Sequence, residues 1–426
     1  MIISKDPEKL QKSLASKILD ENTRFKTRYG VELRGKPQLV VSEKLHSDFH
    51  PDSSGWRACN ESYSERVDDG IKDAVEKLKK VPYTRRVSIP VWRPKDHLCN
   101  TPPAITEISL LFSNDKLHVT AFLRSMDVVN YFMPNFSFIS HVLEVVSEEA
   151  GLEAGSVGML IAIPHIYERD IERVEKARYK EHFDYHELGT HIVEDYISSA
   201  WHSALENIYR NGDAKRTEWG ELFEGQEESK FVHRMFIEVR KPEENQIHDK
   251  APFTKKYGIE YAHDYVIHAK SIDREVKENI LKEGETYTYA ERARYCEKDE
   301  VKVDQLYRVI QKLRERRDRR DCYVGISRPW DILSDEPPCL RGYQLGFWRK
   351  FFGIFYMRSN DAYGAMHANM YAFNLLTDYV SHMLGYDSHH YFHFSLDAHI
   401  YGEFIDSVRE ILEPETPSYL EKINKS

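Results

Sequence analysis

The chain has 426 residues, 41% of them apolar, and carries 60 Lys and Arg against 70 Asp and Glu, a formal charge of −10. That length predicts two domains of about 200 residues each. The acidic balance, without a long basic run, excludes a polynucleotide partner, and no apolar stretch reaches the length needed to span a membrane. The start, Met1 to Asp6, carries no apolar leader, and the five cysteines are scattered without a Cys-x-x-Cys. A reducing cytoplasm is therefore expected.

Residues 7–22 place Leu10, Leu14, Ile18 and Leu19 at helical spacing. Residues 23–35 are basic and turn-rich, and 38–60 read as loop, with Pro51, Ser53, Ser54 and Gly55. Helical period returns over 67–78 and closes on Lys79, Lys80 and Pro82, cations that suit a helix C-terminus. Residues 87–91 read as a strand, and 107–123 as a hairpin with its turn at Ser113-Asn114-Asp115-Lys116. Residues 138–150 form an amphipathic helix closed by Gly151, and 157–163 an apolar strand leading into His165. Residues 168–188 are charged and helical, and with no Pro, Gly or Ser linker in sight a domain join is placed near 189. Residues 196–209 form a helix with Ile197, Ala200, Ala204 and Ile208 on one face. A strand over 231–239, polar loop over 241–252 and a helix over 301–314 follow. After Tyr401 a short helix precedes Glu413-Pro414 and a polar tail.

A longer regularity organises the chain. Arg124-Ser125-Met126-Asp127, Asn135 and His165-Ile166-Tyr167 recur as Arg358-Ser359-Asn360-Asp361, Asn369 and His399-Ile400-Tyr401, each pair 234 residues apart. Arg85-Arg86 and Arg319-Arg320 keep that offset, and Tyr63-x-Glu65-Arg66 has a looser partner in Tyr289-x-Glu291-Arg292. A period of this length marks a duplicated domain rather than a solenoid, and copies at 1–188 and 189–426 are expected. After Pro102-Pro103 the first copy has Ala104, whereas after Pro337-Pro338 the second has Cys339. Cys99 falls five residues too early to replace it. The interval to the arginine is 20 residues from Ala104 and 19 from Cys339, and the extra residue fits the turn at 113–116, set against Trp348-Arg349-Lys350.

This set resembles the thymidylate synthase family. There a Cys precedes an Arg-Ser-x-Asp turn, an Asn follows the Asp by eight residues and a His-x-Tyr by thirty-eight; Asp361, Asn369 and His399 keep both spacings. The compact spacing is closer to archaeal-type members. The resemblance covers nearly the whole chain and implies an α/β fold. Two tandem thymidylate-synthase-like domains, each a twisted sheet backed by helices, would pair as a pseudo-dimer that needs no second chain. It implies a pyrimidine nucleotide monophosphate and a folate as partners, with 5,10-methylenetetrahydrofolate as cofactor.

The residues suit that chemistry. A thiolate such as Cys339 adds to C6 of uracil and later leaves, and the addition makes C5 nucleophilic. By the resemblance, Arg358 and Ser359 hold the phosphate and position the Cys, the planar guanidinium meeting phosphate oxygens bidentately. Arg85 and Arg86 would reach from the first copy into the Cys339 site, and Arg216 matches the family's phosphate loop. Asn369 would accept from uracil N3–H and donate to O4; relatives that act on cytosine tend to carry Asp there. His399 and Tyr401 would hold the sugar 3′-hydroxyl, and Asp361 would face the pterin. Arg124, Ser125, Asp127, Asn135, His165, Tyr167, Arg319 and Arg320 would form a second, degenerate site that binds without turnover.

The chain departs from the family at its end. Members close with an apolar C-terminus over the folate, but residues 419–426 are polar, which leaves methyl and hydroxymethyl products both open. Leu340 follows the Cys where bacterial members carry His, and Glu291 is the candidate for the folate-side Glu. His182, His186 and His191 near Glu187, and His389, His390 and His393, lack the His-Glu-x-x-His order, so no metal is expected. The alternatives are a nucleotide-modifying enzyme that uses Cys339 without folate and a non-catalytic or regulatory nucleotide-binding protein.

Overall fold

The computed structural model describes residues 1–48, 57–179, 186–217, 228–268, 287–296 and 298–413. The first half contributes β1 (Ile2–Ser4), β2 (Thr23–Thr27), β3 (Gly30–Arg34), β4 (Gln38–Ser42), β5 (Ser88–Pro90), β6 (Ile105–Ser113), β7 (Lys116–Leu123), β8 (Met126–Asp127), β9 (Glu153–Ile161) and β10 (Pro164–Tyr167). The second contributes β11 (Thr190–Glu194), β12 (Asp213–Arg216), β13 (Glu228–Val239), β14 (Tyr323–Gly325), β15 (Leu340–Phe347), β16 (Phe351–Met357), β17 (Asn360–Asp361) and β18 (His389–Tyr401). In the first half one sheet runs β1-β4-β9-β7-β6-β5 and a smaller one β2-β3-β10-β8; in the second a sheet runs β11-β13-β18-β16-β15-β14, with β12 added on β13 and β17 on β18, and its main path has the order of the first position by position. The registers repeat as well. Leu123 pairs with Ile161 as Met357 pairs with Ser395, and Met126 pairs with Pro164 as Asn360 pairs with Ala398.

Each main sheet is covered on both faces, and strand alternation divides its side chains between two cores. On β7, Leu117, Val119, Ala121 and Leu123 pack toward the helices of their own half, including Tyr63–Lys80 and Val128–Ala150, while Phe122 enters a core shared with the other sheet. On β16, Phe351, Phe355 and Met357 face their own helices, while Phe352, Ile354 and Tyr356 enter the shared core. Phe122 stacks on Tyr356, its counterpart 234 residues on, with ring centroids 5.5 Å apart and planes 9° apart. Equivalent residues meeting each other is the mark of an isologous interface, so a pseudo-twofold axis passes between these rings.

Polar groups also cross the interface. Arg234, at φ 53°, is skipped by the β13–β18 pairing and turns its guanidinium into the first half. It reaches Thr120 Oγ1 at 2.7 Å, Ser156 Oγ at 2.8 Å and the Val119 carbonyl at 2.9 Å. Glu107 of the first half accepts from Arg341 Nε at 2.8 Å and from Ser327 Oγ at 2.6 Å, both in the second.

Several expectations change. The loop expected over 38–60 contains β4, a wholly buried strand whose neighbours cover both faces and so suppress alternation; residues 49–56 lie outside the described residues. The turn-rich 23–35 folds as the β2–β3 pair. The helix expected from 138 begins at Val128, because Asp127 caps it by accepting from the Val129 and Asn130 amides. Over 168–188 the regular helix is only Ile171–Lys176, and 180–185 lie outside the described residues. The 113–116 turn has Asn114 at φ 48° and Asp115 at φ 58°, as a type I′ hairpin requires. Cys59 and Cys99, read as scattered thiols, form a disulfide across 40 residues with Cα atoms 5.7 Å apart. Sequence spacing hid this pair because the helix Tyr63–Lys80 lies between the two cysteines. Among the described residues no helix is long and apolar enough to cross a membrane.

Glu107→Ala would leave the buried Arg341 guanidinium without its nearest carboxylate. The expected loss is about 3–5 kcal/mol, read as a lowered urea midpoint.

Candidate active site

Cys339 sits half-buried directly before β15, after Pro337-Pro338. The Arg358 amide donates to its carbonyl at 2.9 Å. The Arg358 guanidinium donates to the Pro337, Pro338 and Arg85 carbonyls at 2.6, 3.1 and 2.9 Å. One buried arginine thus fixes both the turn that carries the sulfur and a segment of the other half. Ser359, next in the chain, is buried.

Arg85 comes from the first half and ends in the second. Its Nη1 lies 2.7 Å from His399 Nε2, its Nη2 donates to Tyr401 Oη at 3.0 Å, and Asp397 lies 3.8 Å away. Burial opposes its charge, but Asp397 and Tyr401 outweigh burial and its pKa is raised; Cys339 lies within range of the same charge. With Nε2 facing a guanidinium, His399 places its ring proton on Nδ1, which donates to Asp397 Oδ1 at 2.8 Å. Burial and Arg85 push the His399 pKa down, so the ring is neutral. Lys215 Nζ donates to Asp397 Oδ2 at 3.3 Å. Burial would raise the Asp397 pKa, but Lys215, His399 and Arg85 hold it well below the usual carboxylate range. Arg86 follows Arg85, half-buried.

The base and pterin candidates lie beside this group. Asn369, on the helix Met366–Met383, donates to Asn360 Oδ1 at 3.2 Å and accepts from Tyr261 Oη at 2.9 Å. Asp361 accepts the Tyr363 and Gly364 amides, and burial raises its pKa. Arg216 stays outside this group. Alternation along β12 leaves it exposed and turns Lys215 to Asp397 instead. Lys215 and Asp397 escaped sequence reading; Asp397 stands two residues before His399 on one strand, hence on the same face, which was the available signal. Glu291 is buried on the helix Tyr289–Arg294, where its amide is capped by Thr288. His389 bonds Asn374 through Nε2, and His182 lies outside the described residues.

The first half holds the counterpart, a cavity of about 720 Å³ lined by Ala104, Arg124, Asn135, His165, Tyr167 and Arg320, among others. Arg124 donates to the Pro102, Pro103 and Arg320 carbonyls, as Arg358 does to Pro337, Pro338 and Arg85. Arg320 contacts His165 Nε2 and donates to Tyr167 Oη at 3.0 Å. The structural partner of Arg85 is therefore Arg320, 235 residues on, not Arg319. The offset is 235 before the hairpin and 234 after it, so Arg86 corresponds to Asp321. Asp321 binds Arg319 at 2.7 and 2.5 Å. Asp127 caps its helix, Ser125 accepts from Arg124 at 3.2 Å, and Asn135 donates to the Tyr131 carbonyl at 2.8 Å. Cys99, on the wall of this cavity, is held in its disulfide.

His165, His393 and His399 have pKa values lowered chiefly by burial, His393 to about 3. The unfolded chain takes up these protons as pH falls below about 6.5, while the folded chain does not. Their contribution to stability is thus complete above that value and shrinks as pH falls through the window below it. The expected loss from His393 alone is about 2 kcal/mol by about pH 5. Thermal melts across this range check it, and a flat profile would contradict it.

The sequence profile described as thymidylate synthase matches residues 13–207 and 255–424, two segments in keeping with a tandem duplication. A protein of Methanosarcina mazei named "Putative thymidylate synthase" is 31% identical over 139 residues, which are 32% of this chain and 62% of that protein. The match therefore spans less than two thirds of that relative's length. With the repeated sheet order and the two mirrored clusters, these matches show that the chain belongs to the thymidylate synthase family.

Proposed function

We propose that the chain transfers a one-carbon unit from a methylenetetrahydrofolate to C5 of a uracil nucleotide monophosphate, with Cys339 as nucleophile. Residues 1–188 and 189–426 are the two copies in this reading. The observation that carries it is Arg85, buried on His399 and Tyr401 and tied through its carbonyl and Arg358 to the Pro337-Pro338 turn that carries Cys339. A nucleotide phosphate is the ligand that a guanidinium held in this way suits. In this reading Arg358 keeps the sulfur in place through the Pro337 and Pro338 carbonyls. The Sγ lone pair forms a bond to C6, and the C5–C6 π electrons move toward O4, which leaves C5 nucleophilic. After transfer C5 loses its proton, and the carrier nitrogen would leave with the electrons of its bond to the one-carbon unit. Hydride or water would add at that carbon as the C6–S bond breaks, returns its electrons to sulfur and restores the ring. The sugar 3′-hydroxyl and Arg85 would draw on the same His399 and Tyr401 atoms, so in this reading the guanidinium turns toward the phosphate on binding.

The residues present fit a folate. Asp361 Oδ1 takes two backbone amides, and Oδ2 borders Gly364, where an added Cβ would stand only 2.5 Å from it. The glycine keeps that oxygen open as an acceptor for the donor edge of a pterin. Bound there, the folate would supply the one-carbon unit and, for a methyl product, the hydride. For the Ala104 cavity we propose nucleotide binding without turnover, supported by its retained Arg320, His165 and Tyr167 contacts.

Release of tritium from C5-labelled dUMP in the presence of the folate is the expected outcome, with product mass separating methyl from hydroxymethyl. Cys339→Ala should abolish release and keep nucleotide binding. Arg85→Ala, a change in the other half, should weaken nucleotide binding about 10–100-fold. No release from dUMP, UMP or their cytosine analogues would overturn the reading, and unchanged affinity in Arg85→Ala would overturn the cross-copy arrangement.

A further inference from the structure

We infer that a buried chain of hydrogen bonds, Tyr391–His393–Asn360–Asn369–Tyr261, decides which pyrimidine the Cys339 site accepts, with Asn360 and His393 as positioning residues. The inference rests on the reading above that Asn369 faces the base.

The chain is continuous. Asn369 Nδ2 donates to Asn360 Oδ1 at 3.2 Å, and Asn369 Oδ1 accepts from Tyr261 Oη at 2.9 Å. Asn360 Nδ2 lies 2.9 Å from His393 Nε2 and 3.4 Å from Ser395 Oγ. His393 Nδ1 lies 2.9 Å from Tyr391 Oη. His393 and Tyr391 are fully buried, and Asn360 and Asn369 nearly so. Burial keeps His393 neutral, with one ring proton. Because Nε2 accepts from Asn360, that proton sits on Nδ1 and points to Tyr391.

A primary amide has two N–H groups and two carbonyl lone pairs. Asn360 and Tyr261 use one of each on Asn369, so one N–H and one lone pair remain on sides already chosen. Uracil presents an acceptor at O4 and a donor at N3; cytosine presents a donor at N4 and an acceptor at N3. The two edges are the same shape with the polarity exchanged. An amide free to turn over serves either base, whereas an amide held from behind serves one. Moving the ring proton of His393 to Nε2 would reverse Asn360, and a reversed Asn360 would reverse Asn369. Base choice is thereby coupled to the tautomer of an imidazole that is two hydrogen bonds behind the reading amide.

The other half of the molecule is the internal control. At the offset of 234, Asn360 corresponds to Met126, His393 to Met159 and Tyr391 to Val157. Strand pairing supports these equivalences, since Gly353 pairs with Tyr391 as Val119 pairs with Val157. Asn135 remains, but its amide donates to the Tyr131 carbonyl of its own helix. Met126, Met159 and Val157 pack in an ordinary apolar core, so the fold does not need polar groups at these places. A buried polar chain costs desolvation that an apolar core avoids. It stands only in the half that carries the sulfur.

The test reads the Cys339 site alone. Half-protection of Cys339 against iodoacetamide by dUMP and by dCMP is measured on the full chain, by mass of the Cys339 peptide, without folate. The wild-type chain is expected to be protected by dUMP at the lower concentration. Asn360→Ala and His393→Phe should each reduce that preference about tenfold or more, with melting and near-UV spectra like the wild type. Asn360→Asp should keep the preference, because its carboxylate still accepts from Asn369 Nδ2; a purely structural role would not sort the variants this way. Either of the first two variants decides the matter if the other fails to fold. Protection by dUMP with the preference unchanged in them, or a wild-type chain without preference, overturns the inference and leaves the site reading standing. Protection by neither nucleotide overturns both.

Discussion

A buried guanidinium needs an opposite charge and acceptors within reach, and Arg85 finds all of them in the half of the molecule that does not carry it. His399, Tyr401 and Asp397 surround it, and its own backbone carbonyl is held by Arg358. Arg320 does the same in reverse with His165, Tyr167 and Glu32. Neither half could be removed without leaving an arginine site incomplete. The stacked sheets, with Phe122 lying on Tyr356, set the distance over which these side chains cross. Packing and site electrostatics are therefore one constraint, since any slip of one sheet over the other would part each arginine from its acceptors.

Within that symmetric frame the side chains at equivalent positions are one-sided. Cys339 faces Ala104, Asp397 faces Ile163, Asn360 faces Met126 and His393 faces Met159 in the two registers. At three of the four positions a buried polar group stands where the first half has an apolar side chain packed in a core. Two arginines that the second half lends to the wall of the Ala104 cavity are also neutralised locally, Arg319 by Asp321 and Arg316 by Asp318. In a dimer of identical chains such changes would strike both sites at once. Two copies on one chain can change independently, and Arg85 of the first half keeps its contacts with His399 and Tyr401 although the first half has Ala104 in place of a cysteine.

Much of this was legible in the sequence because a duplication prints its shared parts twice. The Arg-Ser-x-Asp turns, the His-x-Tyr strands and the hairpin all announced themselves in that way. The same property hid what differs. Asp397, Asn360 and His393 have no counterpart of like chemistry, so a search for repeats passes over them. Adjacent identical residues misled differently: with Arg85-Arg86 and Arg319-Arg320 in place, an offset of 234 matches two arginines while the structure matches Arg85 with Arg320. β4 shows no alternation because both its faces are covered, and Lys215 rather than Arg216 reaches the cluster because strand alternation, not residue type, decides which of two adjacent cations turns inward.

The extra residue of the first half shows why two copies can diverge without losing their frame. It lies in the Asn114-Asp115 turn, at the far end of the β6–β7 hairpin from Ala104 and Arg124. Antiparallel register is fixed by the bonds already made near the site, so a residue added at the turn lengthens only the tip. The site end bears this out. The Arg124 amide donates to the Ala104 carbonyl at 3.0 Å, and the Arg358 amide donates to the Cys339 carbonyl at 2.9 Å. Both hairpins shift register one step further in, between Ile105 and Glu107 and between Leu340 and Gly342. The backbone that would aim a sulfur is thus intact at Ala104, and what separates the two positions is the side chain and the polar groups placed behind it.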